Sequence, residues 1–121
     1  MVGVARILVV DDQRDERVMM EEILASAGHE VFSAANGSGA LAQHRANPAD
    51  LIITDLFMPE VDGVELILAL RREKPGVKVI AMSGNIISEA MLSVASKLGS
   101  VAVLQKPFTA EQLLAVVGKE L

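Results

Sequence analysis

Short apolar runs alternate along this chain with segments of helical period. The runs fall at residues 7–10, 30–33, 51–54, 77–82 and 101–104 and are mostly β-branched. The first and third are apolar on consecutive positions, as expected of strands covered on both faces in a parallel sheet. Between them, Met19/Met20, Ile23/Leu24 and Ala27 repeat every three to four residues and stop at Gly28, a suitable helix-terminating glycine. Val64, Ile67/Leu68 and Arg71 form a similar stripe, opened by the capping-box pattern Asp62-x-x-Glu65. Ile87, Met91, Val94/Ala95 and Leu98 form another and stop at Gly99. Leu113, Val116/Val117 and Leu121 form the last, behind the cap Thr109-x-x-Gln112. The Ala-rich segment 38–46 is a weaker helix, ended by Asn47-Pro48. A β-α unit repeated five times predicts an α/β fold: a five-stranded parallel sheet, doubly wound into a three-layer sandwich.

Composition narrows the function. At 121 residues the chain is read as one domain over 1–121, with no linker and no effector domain. A net charge of −5, with 11 scattered Lys and Arg, argues against direct nucleic-acid binding. Three Phe supply no stacking platform for bases. The absence of Cys excludes disulfides and thiolate metal sites and is compatible with a reducing compartment. No apolar run approaches the ~18 residues of a membrane span, and the N-terminus does not resemble a signal peptide. A cytoplasmic protein with no membrane partner is therefore expected.

In doubly wound sheets ligands sit beyond the carboxyl ends of the strands. Here the first run ends in Asp11-Asp12, the third in Asp55 and the fourth in Ser83, while the fifth runs into Lys106-Pro107. Taken singly, each has an ordinary reading as a cap, a turn residue or a surface lysine. Parallel strands bring them to one rim, which the ordinary readings do not explain. Two like charges about 4 Å apart repel by about 4 kcal/mol at an effective dielectric near 20, so three carboxylates call for positive charge. Lys106 offsets one. A hard divalent cation offsets more, and oxygen-only donors select Mg²⁺ or Mn²⁺ over Zn²⁺.

These residues resemble the receiver domain of bacterial two-component response regulators, particularly the single-domain chemotaxis-type form. The carriers are Val9-Val10-Asp11-Asp12, Asp55-Leu-Phe-Met58-Pro59 with Asp62-Gly63, Met82-Ser83-Gly84 and Lys106-Pro107-Phe108, and the likeness runs from about Arg6 to Leu121. The resemblance implies a flavodoxin-like fold and a phosphoprotein that acts in phosphorelay signal transduction. Asp55 matches the residue that takes a phosphoryl group from a sensor histidine kinase, a histidine phosphotransfer protein or a small phosphodonor. Asp12 and Asp55 match direct Mg²⁺ ligands, Asp11 a ligand mostly through water, and Phe57 the position whose backbone carbonyl completes the set. Ser83 matches the hydroxyl residue that turns toward the phosphoryl group, Lys106 the lysine that pairs with it, and Pro107 the proline that follows in a cis peptide. The resemblance also implies a downstream protein docked on the fourth helix, fifth strand and fifth helix, with a homodimer as a further arrangement.

The chain departs from the family pattern at Val103, three residues before the lysine, where the family usually carries Tyr or Phe. A branched aliphatic side chain cannot sweep the volume of a ring, which puts the usual aromatic switch in doubt. By the resemblance, Phe57 and Asn85 occupy the two positions that commonly tune phosphoryl loss in the family. Phe57 cannot orient an attacking water, whereas the amide of Asn85 is able to, and a phosphoryl lifetime longer than that of a fast chemotaxis-type regulator is expected. A half-life of only seconds for the purified phosphoprotein refutes this. Two other classes stay open. An aspartate-nucleophile phosphatase generally needs an acid two residues after its nucleophile, where this chain has Phe57. A receiver-fold interaction module that is never phosphorylated needs none of the five site residues present here. His29, His44 and most of the six Met are read as structural.

Overall fold

Each apolar run becomes a strand within a residue or so of its expected limits. The computed structural model describes residues 4–56, 63–73, 76–84 and 102–121. Its strands are β1 (Arg6–Val10), β2 (Glu30–Ala34), β3 (Leu51–Asp55), β4 (Lys78–Ser83) and β5 (Ala102–Gln105). They form one sheet in the order β2-β1-β3-β4-β5, and all four pairings are parallel. Among the described residues the helices are α1 (Arg14–Ser26), α2 (Gly37–Ala46), α3 (Gly63–Glu73) and α4 (Ala110–Glu120). The helix expected around residues 87–98 and the cap at Asp62 lie outside the described residues.

The unbroken apolar character of β1 and β3 follows from burial on both faces. Leu8, Val10, Ile52, Val79 and Ala81 face one layer, where they pack with Ala40 of α2 and Leu66, Ile67 and Leu70 of α3. Ile7, Val9, Ile53, Ile80 and Met82 face the other, against Met20 and Leu24 of α1 and Leu113 and Val117 of α4. The fold is thus a doubly wound α/β sandwich of the flavodoxin-like kind, with β1 and β3 at its centre.

Local signals fix several helix ends. Thr109 and Gln112 form the expected reciprocal capping box on α4. The Asn36 side chain caps α2 by accepting the Gly39 N–H at 2.8 Å. Gly28 adopts φ +95 after α1, a conformation that favours glycine. The helical stripes are less faithfully placed. In α3 the buried set is Leu66, Ile67, Ala69 and Leu70, whereas Leu68, expected inside, is 41% exposed. Met19 of α1, Ala27 just after it and Leu121 beyond α4 are exposed as well. These segments carry apolar residues on more than one face, and the close packing of α3 on the sheet and α2 selects the arc around Ile67.

Both histidines serve the scaffold. His29 Nδ1 accepts the Ala5 N–H at 3.3 Å, and His44 Nδ1 accepts the Ala49 N–H at 3.0 Å. His44 is buried despite the polar character of α2.

Candidate functional site

Parallel register places the chemistry. Val10 of β1 lies opposite Thr54 of β3, so Asp11 and Asp55 leave neighbouring strands at the same level. Asp55 in turn lies opposite Met82, one residue before Ser83, and Ser83 lies opposite Gln105, one residue before Lys106. Asp11, Asp12 and Asp55 each offer a carboxylate oxygen, and these oxygens lie within 4.8 Å of one another. Asp11 is fully buried, and Asp55 and Ser83 are nearly so.

Lys106 closes the group. Its Nζ donates to Asp11 Oδ2 at 2.8 Å and to Asp55 Oδ2 at 2.9 Å. Burial pulls the pKa of this ammonium down, but hydrogen bonds to Asp11, Glu16 and Asp55 outweigh it and hold the group above the ordinary lysine value. Lys106 therefore carries its charge throughout the neutral range. Its backbone N–H donates to the Ser83 carbonyl at 2.9 Å, and the Lys106–Pro107 peptide is cis.

Asp11 does not cap α1, whose N-cap is Gln13. Asp11 Oδ1 accepts the N–H of Gln13 at 2.9 Å, which fixes the loop before α1 without capping the helix, while its other oxygen faces Lys106. Arg17 fixes the same loop by donating to the Asp11 carbonyl at 2.8 Å. Thr54 Oγ1 donates to the Asp55 carbonyl at 2.9 Å.

One residue that serves this site escaped the sequence reading, and a second, Gly63, entered it only as part of a motif. Glu16, in the first turns of α1, accepts a hydrogen bond from Lys106 Nζ. Its carboxyl is held above the usual carboxylate range by hydrogen bonding with Asp11 and then by burial, while Lys106 opposes both. Only its position soon after Asp11-Asp12 hinted at this. Gly63 opens α3 directly against β3: a Cβ there would lie 2.2 Å from the Asp55 carbonyl oxygen and 2.6 Å from Leu56 Cα. Val103 sits on β5 with 44% of its surface exposed. Phe57 and Asn85 lie outside the described residues.

Fold and site together define a receiver of the two-component type. The family model for the response regulator receiver domain matches residues 7–118, and the chain belongs to that family. It is 39% identical over 109 residues to a response regulator receiver protein of Anaeromyxobacter, covering 90% of this chain and 45% of that protein. It thus spans just under half the length of that relative. Against the chemotaxis protein CheY of Thermotoga maritima it is 31% identical over 115 residues, covering 94% of this chain and 95% of the other. The structure of chemotaxis protein CheY4 from Vibrio cholerae superposes with a TM-score of 0.89 at 31% identity, covering 98% of this chain and all of the other. Among the described residues no helix is long and apolar enough to cross a membrane.

Proposed function

We propose that this receiver domain accepts a phosphoryl group on Asp55 in a divalent-cation-dependent reaction and signals through the resulting change at the strand ends. The observation that carries this reading is Lys106 Nζ bridging the carboxylates of Asp11 and Asp55 beside a three-carboxylate oxygen cluster. A carboxylate needs no base to act as a nucleophile, and phosphoryl transfer asks the protein chiefly for positioning and charge stabilisation.

An Asp55 oxygen attacks phosphorus, the new P–O bond forms, and the P–N bond to a donor histidine breaks. The electron pair leaves with the imidazole, which takes up a proton. Lys106 stabilises charge on the transferred group, and the Ser83 hydroxyl supplies a second contact. The donor set fits a hard cation, since it consists of carboxylate oxygens and one of them is fully buried. Asp11, Asp12 and Asp55 would hold Mg²⁺, which supplies charge neutralisation to the transferring phosphoryl group when bound. A sensor histidine kinase or histidine phosphotransfer protein is the natural donor, in the cytoplasm. The domain acts as a signalling module rather than a turnover enzyme.

Incubation with acetyl phosphate and Mg²⁺ is expected to add one phosphoryl group to Asp55, read by intact and peptide mass spectrometry. Chelation of the cation or Asp55→Asn is expected to abolish the gain. If neither acetyl phosphate nor beryllofluoride alters mass or spectrum, the domain is an unphosphorylated interaction module. Multiple turnover of p-nitrophenyl phosphate would make it a phosphatase.

A further inference from the structure

An ammonium has three N–H donors, and three carboxylates take those of Lys106. Two of them, Asp11 and Asp55, belong to the strand-end cluster; the third is Glu16, from α1. Glu16 is not one of the three residues whose oxygens gather in the cation cluster. It is also the most exposed of the three partners, with 37% of its side chain accessible against none for Asp11 and 11% for Asp55.

We propose that Glu16 is a specificity-determining residue that sets the balance between cation and phosphoryl anion at this site, by occupying the third donor of Lys106. The inference rests on the reading of Asp55 as phosphoacceptor. A phosphoryl oxygen that approaches Lys106 must displace one of the three carboxylates. Asp55 carries the new group, and Asp11 is fully buried, so unpairing it is costly. Glu16 can turn into water at the least expense, because a half-buried carboxylate at the rim recovers its hydration more readily than a buried one. Glu16 is therefore the partner exchanged on phosphorylation.

The charges point the same way. With Glu16 in place, the site holds four carboxylates and one ammonium. The fourth negative charge favours a divalent cation in the resting state and disfavours an incoming anion. Engagement of Lys106 by Glu16 adds to both effects, since it leaves less of the ammonium's charge to oppose the cation or to attract the anion.

The test compares wild type, Glu16→Gln and Glu16→Asp as intact chains. Mn²⁺ affinity is read from the free-ion electron paramagnetic resonance signal. Beryllofluoride affinity is read by ¹⁹F NMR at saturating Mg²⁺. Glu16→Gln is expected to bind Mn²⁺ about fivefold more weakly and beryllofluoride about fivefold more tightly. Glu16→Asp keeps the charge but shortens the reach to Lys106. It is expected to lose less Mn²⁺ affinity than Glu16→Gln while still tightening beryllofluoride. If both variants match wild type to within about twofold in both measurements, the proposal is overturned while the phosphoacceptor reading stands. If wild type itself takes no beryllofluoride, both fall together.

Discussion

Replacement of Gly63 by alanine is expected to destabilise the domain by roughly 1–3 kcal/mol and to impair phosphorylation of Asp55. Helix propensity argues the other way, because Ala is favoured over Gly in a helix by about 0.5–1 kcal/mol. Sterics decide the sign. The added methyl would lie 2.2 Å from the Asp55 carbonyl oxygen and 3.0 Å from its carbonyl carbon, and both are backbone atoms. They cannot swing aside as the end of a flexible side chain could. Relief has to come from moving α3 or the end of β3, and the Gly63 N–H already bonds the Leu56 carbonyl at 3.2 Å. Because Asp55 sits on the backbone that must move, the damage reaches the nucleophile. Urea unfolding followed by far-ultraviolet circular dichroism measures the first effect, and the acetyl phosphate reaction measures the second. A midpoint equal to that of wild type would show that α3 can withdraw freely.

Lys106→Met is expected to cost about 3–5 kcal/mol in cation-free buffer, because it strips a buried carboxylate of its ammonium partner. Asp11 has no exposure through which water could replace Lys106. Methionine restores the aliphatic stem, so lost packing contributes little. Added Mg²⁺ should stabilise the variant more than wild type, since a ligand that binds only the folded state stabilises it by mass action and the variant offers the cation a more negative site. Asp11→Asn in the Lys106→Met background should recover much of the loss, a non-additivity expected of groups in direct contact. Equal stability of Lys106→Met and wild type in the presence of chelator would sink this account.

Much of this architecture was legible in the chain. β1 and β3, buried on both faces, read as continuous apolar runs, and short, mostly β-branched runs marked the other three, so all five were located and the strand-end rule gathered Asp11, Asp12, Asp55, Ser83 and Lys106. The helical faces were harder. In α3, Leu66, Ile67, Leu68 and Leu70 are all apolar, and periodicity alone does not choose between neighbouring stripes. Glu16 was hidden for another reason. An acidic residue in the first turns of a helix suits the macrodipole without any partner, and its true partner lies 90 residues away. Gly63 was legible only as part of the Asp62-Gly63 motif, and the steric reason for it lies in the backbone of β3 against it.

The hydrogen bond from the Lys106 N–H to the Ser83 carbonyl adds one rung to the sheet between the two residues proposed to grasp the phosphoryl group. Lever and load are thus bolted together: a pull on the side chain of either residue tugs the main chain of the other. Val103 rides on the same strand as that rung, three residues upstream, and its side chain reaches the surface. With no ring there to rotate, phosphorylation as proposed is expected to signal by displacing the strand itself, read as a change in the contour of the β5 edge.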